Sequence, residues 1–141
     1  MTTHATTEFQ TAAFFLADHA SVENGKVYVN GGFWDRMQLP SFPAAVNFSI
    51  VAVVVVPWHA HNEKHSFSVT FEDADKNMLA GQFDGEFQIG TEPSHRQGDA
   101  SIVPLAIAVT GFALDSPDDY AAVLSIDGHE VDRWPMRVLQ L

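Results

Sequence analysis

The sequence predicts an all-β domain: an antiparallel two-sheet sandwich of about eight strands, immunoglobulin-like or jelly-roll-like in outline. Three observations carry this expectation. Apolar residues recur with period two along most of the chain, Val, Ile and Phe dominate those positions, and turn-forming Gly, Pro, Asn and Asp recur at short spacing. No segment shows a sustained i, i+3, i+4 apolar stripe, so no helix is required. At 141 residues, 46% hydrophobic and 18% charged, the chain suits one packed domain rather than two.

Residues 1–10 are polar and threonine-rich and read as a flexible arm, which leaves 11–141 as the sandwich. Residues 12–17, Ala-Ala-Phe-Phe-Leu-Ala, are apolar on both faces, as in an interior strand. Asn24-Gly25 then gives a tight turn into a strand over residues 26–30. Gly31 and Gly32 break the chain before Phe33-Trp34-Asp35, where Gly31, Gly32 and Asp35 are expected to serve structure.

After a bend at Pro40 and Pro43, residues 45–56 are the longest strand candidate. They alternate at first and become apolar on both faces from Val53 to Val56, as though the outward face were covered by a loop, the arm or another subunit. Residues 66–71 and 79–89 alternate cleanly around an acidic turn at 72–77, and Gly85 inside the second run suggests a bulge or bend. A long loop at 90–100 precedes an apolar strand at 101–109, whose Pro104 argues for an edge or bulge. Strands at 120–126 and 131–139 close the chain as a hairpin through Asp127-Gly128. The Leu114-to-Tyr120 segment is similar to the tyrosine corner of immunoglobulin-like domains, which gives Tyr120 a structural role.

Composition excludes several function classes. A formal net charge of −11 repels phosphate backbones and anionic lipid, so neither nucleic acid nor membrane is an expected partner. The absence of cysteine rules out disulfides, thiolate metal sites and cysteine nucleophiles, and fits a cytoplasmic location. The N-terminal segment lacks the charged and apolar regions of a signal peptide, and the apolar stretch at 50–57 is too short to span a bilayer as a helix. No Gly-x-Ser-x-Gly elbow or phosphate-binding glycine loop is present.

Two constellations remain. In the run from Pro57 to His65, His59 and His61 would point the same way on a strand, a spacing that suits two imidazoles on one metal; Glu63 and His65 could complete the set, with His95 arriving from the long loop. This resembles the first half of a cupin metal motif, though Glu63 follows too closely and the expected glycines are missing. An exposed polar loop explains the same residues. No cofactor is required, and a divalent metal is the one the residues suggest. The second constellation is aromatic: Phe33-Trp34, Trp58 and Trp134 could line a hydrophobic or carbohydrate-binding groove, with Trp34 and Trp58 at strand ends, although core packing is the commoner fate of tryptophan in small β domains.

The stretch from Leu16 to Asp35, Leu-Ala-Asp-His-Ala-Ser-Val-Glu-Asn-Gly-Lys-Val-Tyr-Val-Asn-Gly-Gly-Phe-Trp-Asp, resembles the opening of an uncharacterised bacterial family of small single-domain β proteins. The similarity continues through Pro57-Trp58, the strand and acidic turn at 65–75 and the Asp127-Gly128 hairpin. It implies a compact β domain and transfers no catalytic residue. The expected function is therefore a non-enzymatic binding or assembly module that forms a homo-oligomer or meets a protein partner. The alternatives are a metal-dependent enzyme using His59 and His61, or a carbohydrate-binding module using tryptophan.

Overall fold

In the computed structural model of the protein, residues 8–141 are described, and the expected arm falls mostly outside them. The described residues form two sheets and nine strands, with one short 3-10 turn. The strands are β1 (Gln10–Glu23), β2 (Lys26–Trp34), β3 (Arg36–Leu39), β4 (Ala44–Val56), β5 (His65–Glu72), β6 (Met78–Phe87), β7 (Ser101–Leu114), β8 (Asp118–Ile126) and β9 (His129–Gln140). One sheet runs β2-β1-β4-β7 and the other β3-β9-β8-β5-β6. Among the described residues, no helix is long and apolar enough to cross a membrane.

The two sheets face each other across a core built from alternate residues, as period-two patterning requires. Leu16 from β1, Ile50 from β4, Val69 and Phe71 from β5, Leu124 from β8 and Met136 from β9 are fully buried in it. Phe48, Phe71 and Phe112 meet within 6 Å, edge-on or tilted, the arrangements that aromatic quadrupoles favour. A second cluster, of Val54, Val56, Ala60, Phe87 and Ile126, closes one end. Tyr120 closes the corner into β8, its hydroxyl donating to the Ser116 carbonyl at 2.6 Å.

Four details differ from the sequence reading. The Gly31-Gly32 break is a bulge inside β2, which continues to Trp34 with Gly31 and Phe33 both left-handed. The short β3, at residues the sequence reading assigned to no element, pairs parallel with β9, so the sandwich is not purely antiparallel. Gly85 marks neither a bulge nor a bend: its pairing with Phe67 is regular, and a Cβ there would lie 2.5 Å from the Phe67 ring. The glycine is needed because an aromatic ring lies across its backbone. Finally, β1 starts at Gln10 and Phe9 packs edge-on against His65 at 4.9 Å, so ordered packing begins before residue 11. Pro104 does sit on an edge strand, β7, the position in a sheet where proline is ordinarily found.

The outward faces of the two sheets differ in character. On the five-stranded sheet they carry Ser66, Ser68, Gln82, Asp84, Arg133 and Arg137. On the four-stranded sheet, cross-strand register places Val51, Val53 and Val55 of β4 beside Ala106, Pro104 and Ile102 of β7 and, on the other side, Phe15 and Ala13 of β1. Val51 is fully buried there in a third cluster with Phe15, Ala17 and Ala20, while Val53, Val55, Pro104 and Ala106 stay half-buried and Ile102 is exposed.

Candidate functional site

The histidine-bearing segment between β4 and β5 is not a strand. Pro57 leads into a 3-10 turn, Trp58–Ala60, so His59 and His61 do not share a strand face. His59 and Glu63 are exposed, whereas His61 and His65 are each only 6% exposed. Their surroundings differ, and each ring can be assigned a chemical state from its partners.

His65, the first residue of β5, presents both ring nitrogens to acceptors. Nδ1 lies 2.7 Å from the Asp127 carboxylate and Nε2 lies 2.8 Å from the Ala60 carbonyl. A carbonyl can only accept, so Nε2 carries a proton, and the carboxylate favours a second proton on Nδ1. Burial alone would lower the His65 pKa; the Ala60 and Asp127 bonds outweigh it and hold it above the usual histidine value. Asp127 moves the opposite way: burial raises its pKa, but the bonds from His65 and from the Ser66 amide outweigh it, for a net lowering. The pair is an imidazolium–carboxylate bridge joining the 57–64 segment, β5 and the Asp127-Gly128 turn. With both nitrogens occupied, His65 has no lone pair free for a metal or a substrate proton.

His61 lies under the start of the 90–100 loop. Its Nδ1 is 3.4 Å from the Thr91 hydroxyl, and its Nε2 is buried with no partner among the described residues. Trp58 and His95 flank the ring at 5.4 and 5.5 Å between centroids. His95 in turn lies 3.0 Å from the Ser101 hydroxyl, a contact that looks like a nucleophile and its base. The proton is in the wrong place for that role. The Glu92 amide donates to His95 Nδ1 at 2.9 Å, so a neutral ring carries its hydrogen on Nε2 and donates to Ser101 rather than accepting from it.

No group of three or more His, Asp or Glu residues among the described residues is placed to hold a metal ion. His59, His61, Glu63 and His65, set together by spacing, are separated by burial and by their partners. The tryptophans are separated as well. Trp34 lies opposite Leu16, which lies opposite Ile50, while Trp58 follows the far end of β4; at ~3.3 Å per residue the two backbones are on the order of 25 Å apart. Trp34 packs edge-on against Phe48 in the core and its carbonyl accepts from the Trp134 indole at 3.0 Å. Asp35 starts the parallel pairing of β3, its carbonyl accepting from the Arg137 amide at 2.8 Å.

A cavity of about 530 Å³ opens at the His65 end, lined by Phe9, Ile126, Asp127, His129, Glu130 and Val131. Glu8 also lines it, and two of its three carboxylates are engaged: Asp127 by His65 and Ser66, and Glu130 by Arg133 through two bonds of 2.9 and 3.0 Å. Of the four aromatics the sequence offered for a groove, Phe33 is the most exposed. It is 65% exposed and left-handed (φ 68°), stacks on Phe15 at 4.0 Å and meets Trp134 edge-on at 6.0 Å. Its sequence signal was the preceding Gly-Gly pair, which reads as a chain break and not as a device for presenting a side chain.

Compared with known proteins, the chain matches a family described as a family of unknown function (DUF6941) over residues 12–139. No curated protein matches it.

Proposed function

This chain belongs to DUF6941, a family of unknown function, and on that premise we propose that it is a non-enzymatic assembly module that associates with itself through the outward face of the β2-β1-β4-β7 sheet. The observation that carries the reading is the asymmetry between the two outward faces. One sheet turns serines, carboxylates and arginines to solvent; the other leaves the uncharged Val53 and Val55 of β4 and Ile102, Pro104 and Ala106 of β7 partly or fully exposed. An antiparallel sheet with one face on the core ordinarily solvates the other. A continuous apolar second face is the signature of a further packing partner.

We take a second copy as that partner. A formal net charge of −11 opposes association of two copies, so the contact between them is confined in this reading to the uncharged side chains of β4 and β7. The same face pressed against itself is a two-fold, isologous contact, the commonest kind in homo-oligomers. The acidic balance also argues against nucleic acid and anionic membranes as partners. A cysteine-free chain suits a reducing compartment, and the cytoplasm is the location we assign.

The enzyme and carbohydrate readings have less support. His65 is committed to Asp127 and Ala60, His95 donates to Ser101, and the separation of Trp34 from Trp58 leaves no shared groove.

Sedimentation velocity over a range of concentrations tests the proposal, with Ile102→Glu as the control. Ile102 is 64% exposed on an edge strand, so a charge there leaves the monomer intact while burying an unpaired carboxylate in the contact. Wild type should associate with rising concentration and the variant should not; a wild-type protein that stays monomeric at hundreds of micromolar removes the proposal.

A further inference from the structure

We propose that Asn24 is a site of spontaneous covalent modification, where the Gly25 amide attacks the asparagine side chain and converts it, through a cyclic imide, to aspartate and isoaspartate. The only co-reactant is water. The Gly25 nitrogen gives up its proton and bonds to Cγ of Asn24, and Nδ2 leaves with that proton as ammonia. Water then opens the five-membered ring at either carbonyl, which restores the ordinary main chain or routes it through the side-chain carbon. A glycine after the asparagine leaves the attacking nitrogen unhindered, because it has no Cβ. The sequence holds four pairs of this general kind, Asn24-Gly25, Asn30-Gly31, Asp84-Gly85 and Asp127-Gly128, and the fold opens one of them to the reaction.

Asn24 and Gly25 form the two-residue tip of the β1–β2 hairpin, between the paired Glu23 and Lys26, with left-handed φ angles of 52° and 73°. Both are exposed, and among the described residues no hydrogen bond holds the Asn24 side chain or the Gly25 amide. Nothing lies within 4 Å of the place a Gly25 Cβ would take, so no neighbour opposes the rotation that brings the nitrogen onto Cγ. The other three pairs are held back. Asn30 is paired with His19 in the β1–β2 ladder, and its backbone can rotate only if the ladder opens. A Cβ on Gly31 would collide with the Asp18 carboxylate, and that charge close to the Gly31 nitrogen opposes loss of its proton. Asp84 sits within β6 opposite Ser68 and accepts from Gln82 at 2.7 Å. Asp127 repeats the geometry of Asn24, with φ 51° followed by Gly128 at 83° between the paired Ile126 and His129. Its side chain, however, is a carboxylate bonded to His65 and to the Ser66 amide, and a carboxylate offers no neutral leaving group to match ammonia. Conversion at Asn24 adds a carboxylate beside Glu23 to a chain already at −11. The isoaspartyl form lengthens the main chain of the tip by one atom, so the Glu23–Lys26 pair loses its register.

Hydroxylamine cleaves a chain at the cyclic imide and tests the assignment on the whole protein. Folded wild type should be cut once, between Asn24 and Gly25, and the same chain unfolded in urea should be cut between Asn30 and Gly31 as well. Breaking one or two ladder hydrogen bonds makes the reaction at Asn30 at least about tenfold slower in the folded protein. Asn24→Gln, whose longer side chain would have to close a larger ring, should leave the folded protein uncut. Peptide mapping of wild type aged at mildly alkaline pH should find the mass change from amide to acid, and an isoaspartyl linkage, at position 24. If the folded chain is cut at Asn30 as fast as at Asn24, the fold selects no site and the assignment fails. If Asn24 survives in the folded protein, the left-handed turn protects it and the assignment is overturned. Neither result bears on association through the β2-β1-β4-β7 face, which the sedimentation experiment decides separately.

Discussion

Replacing Asp127 by Asn removes a charge from the His65 bridge while keeping the shape of the turn and a residue that tolerates its left-handed backbone (φ 51°). The carboxylate accepts from His65 Nδ1 at 2.7 Å through one oxygen and from the Ser66 amide at 3.0 Å through the other. An amide keeps only one acceptor, so one donor faces an NH2 group and the imidazolium loses its counter-charge. Hydrogen bonds to charged groups contribute about 1.5–3 kcal/mol. Because the Asp127 side chain is 42% exposed, solvent screening brings the expected loss down to about 1–2 kcal/mol. For a domain of this size that is a fall in thermal midpoint of roughly 3–6 °C.

The pH dependence has a definite sign. The His65 pKa is raised on folding, so its contribution is complete below about pH 6.5 and is lost as pH rises through the folded value. The Asp127 pKa is lowered, so its contribution is present above about pH 4 and is lost as pH falls through its folded value. Scanning calorimetry at fixed low concentration should therefore show the gap between wild type and Asp127→Asn widest between about pH 4 and 6.5 and narrowing as pH rises through the folded His65 value. A variant with the wild-type midpoint at every pH would refute the assignment of an imidazolium to His65.

Other expectations follow from single contacts. Tyr120→Phe removes the bond to the Ser116 carbonyl and should lower the unfolding free energy measured in urea by about 1 kcal/mol at constant m; no change would mean that the corner is held by packing alone. Gly85→Ala drives a methyl into the Phe67 ring and should cost about 1–3 kcal/mol in the same assay, whereas a neutral effect would show the ring free to swing aside. Calorimetric titration of untagged protein with zinc should reveal no stoichiometric tight site; an equimolar site abolished by His61→Ala would reverse that view. Added sodium chloride should strengthen self-association, because it screens repulsion between chains of net charge −11 without weakening an apolar contact; weakening would indicate an ionic interface.

The core was legible in the sequence because it depends on local alternation. Phe67, Val69 and Phe71 point inward and Ser66, Ser68 and Thr70 outward, as period two demands. The second apolar face was legible too, from Val53 to Val56. Contacts between distant segments were not. His65 and Asp127 are separated by 62 positions, and no spacing rule joins them. Four residues of β3 between a tryptophan and a proline gave too short a period to register, and its parallel partner lies a hundred residues on. The histidines misled because strand spacing was applied to a segment that Pro57 turns into a 3-10 bend. The left-handed backbone of Phe33 was not foreseen, because no propensity predicts that conformation for an aromatic.

Sedimentation velocity of untagged wild-type protein beside Ile102→Glu, from low to hundreds of micromolar, bears most directly on the assembly claim. The wild-type sedimentation coefficient should climb with concentration toward that of a two-chain particle while the variant's stays at the monomer value. Two superimposable, concentration-independent profiles would contradict it.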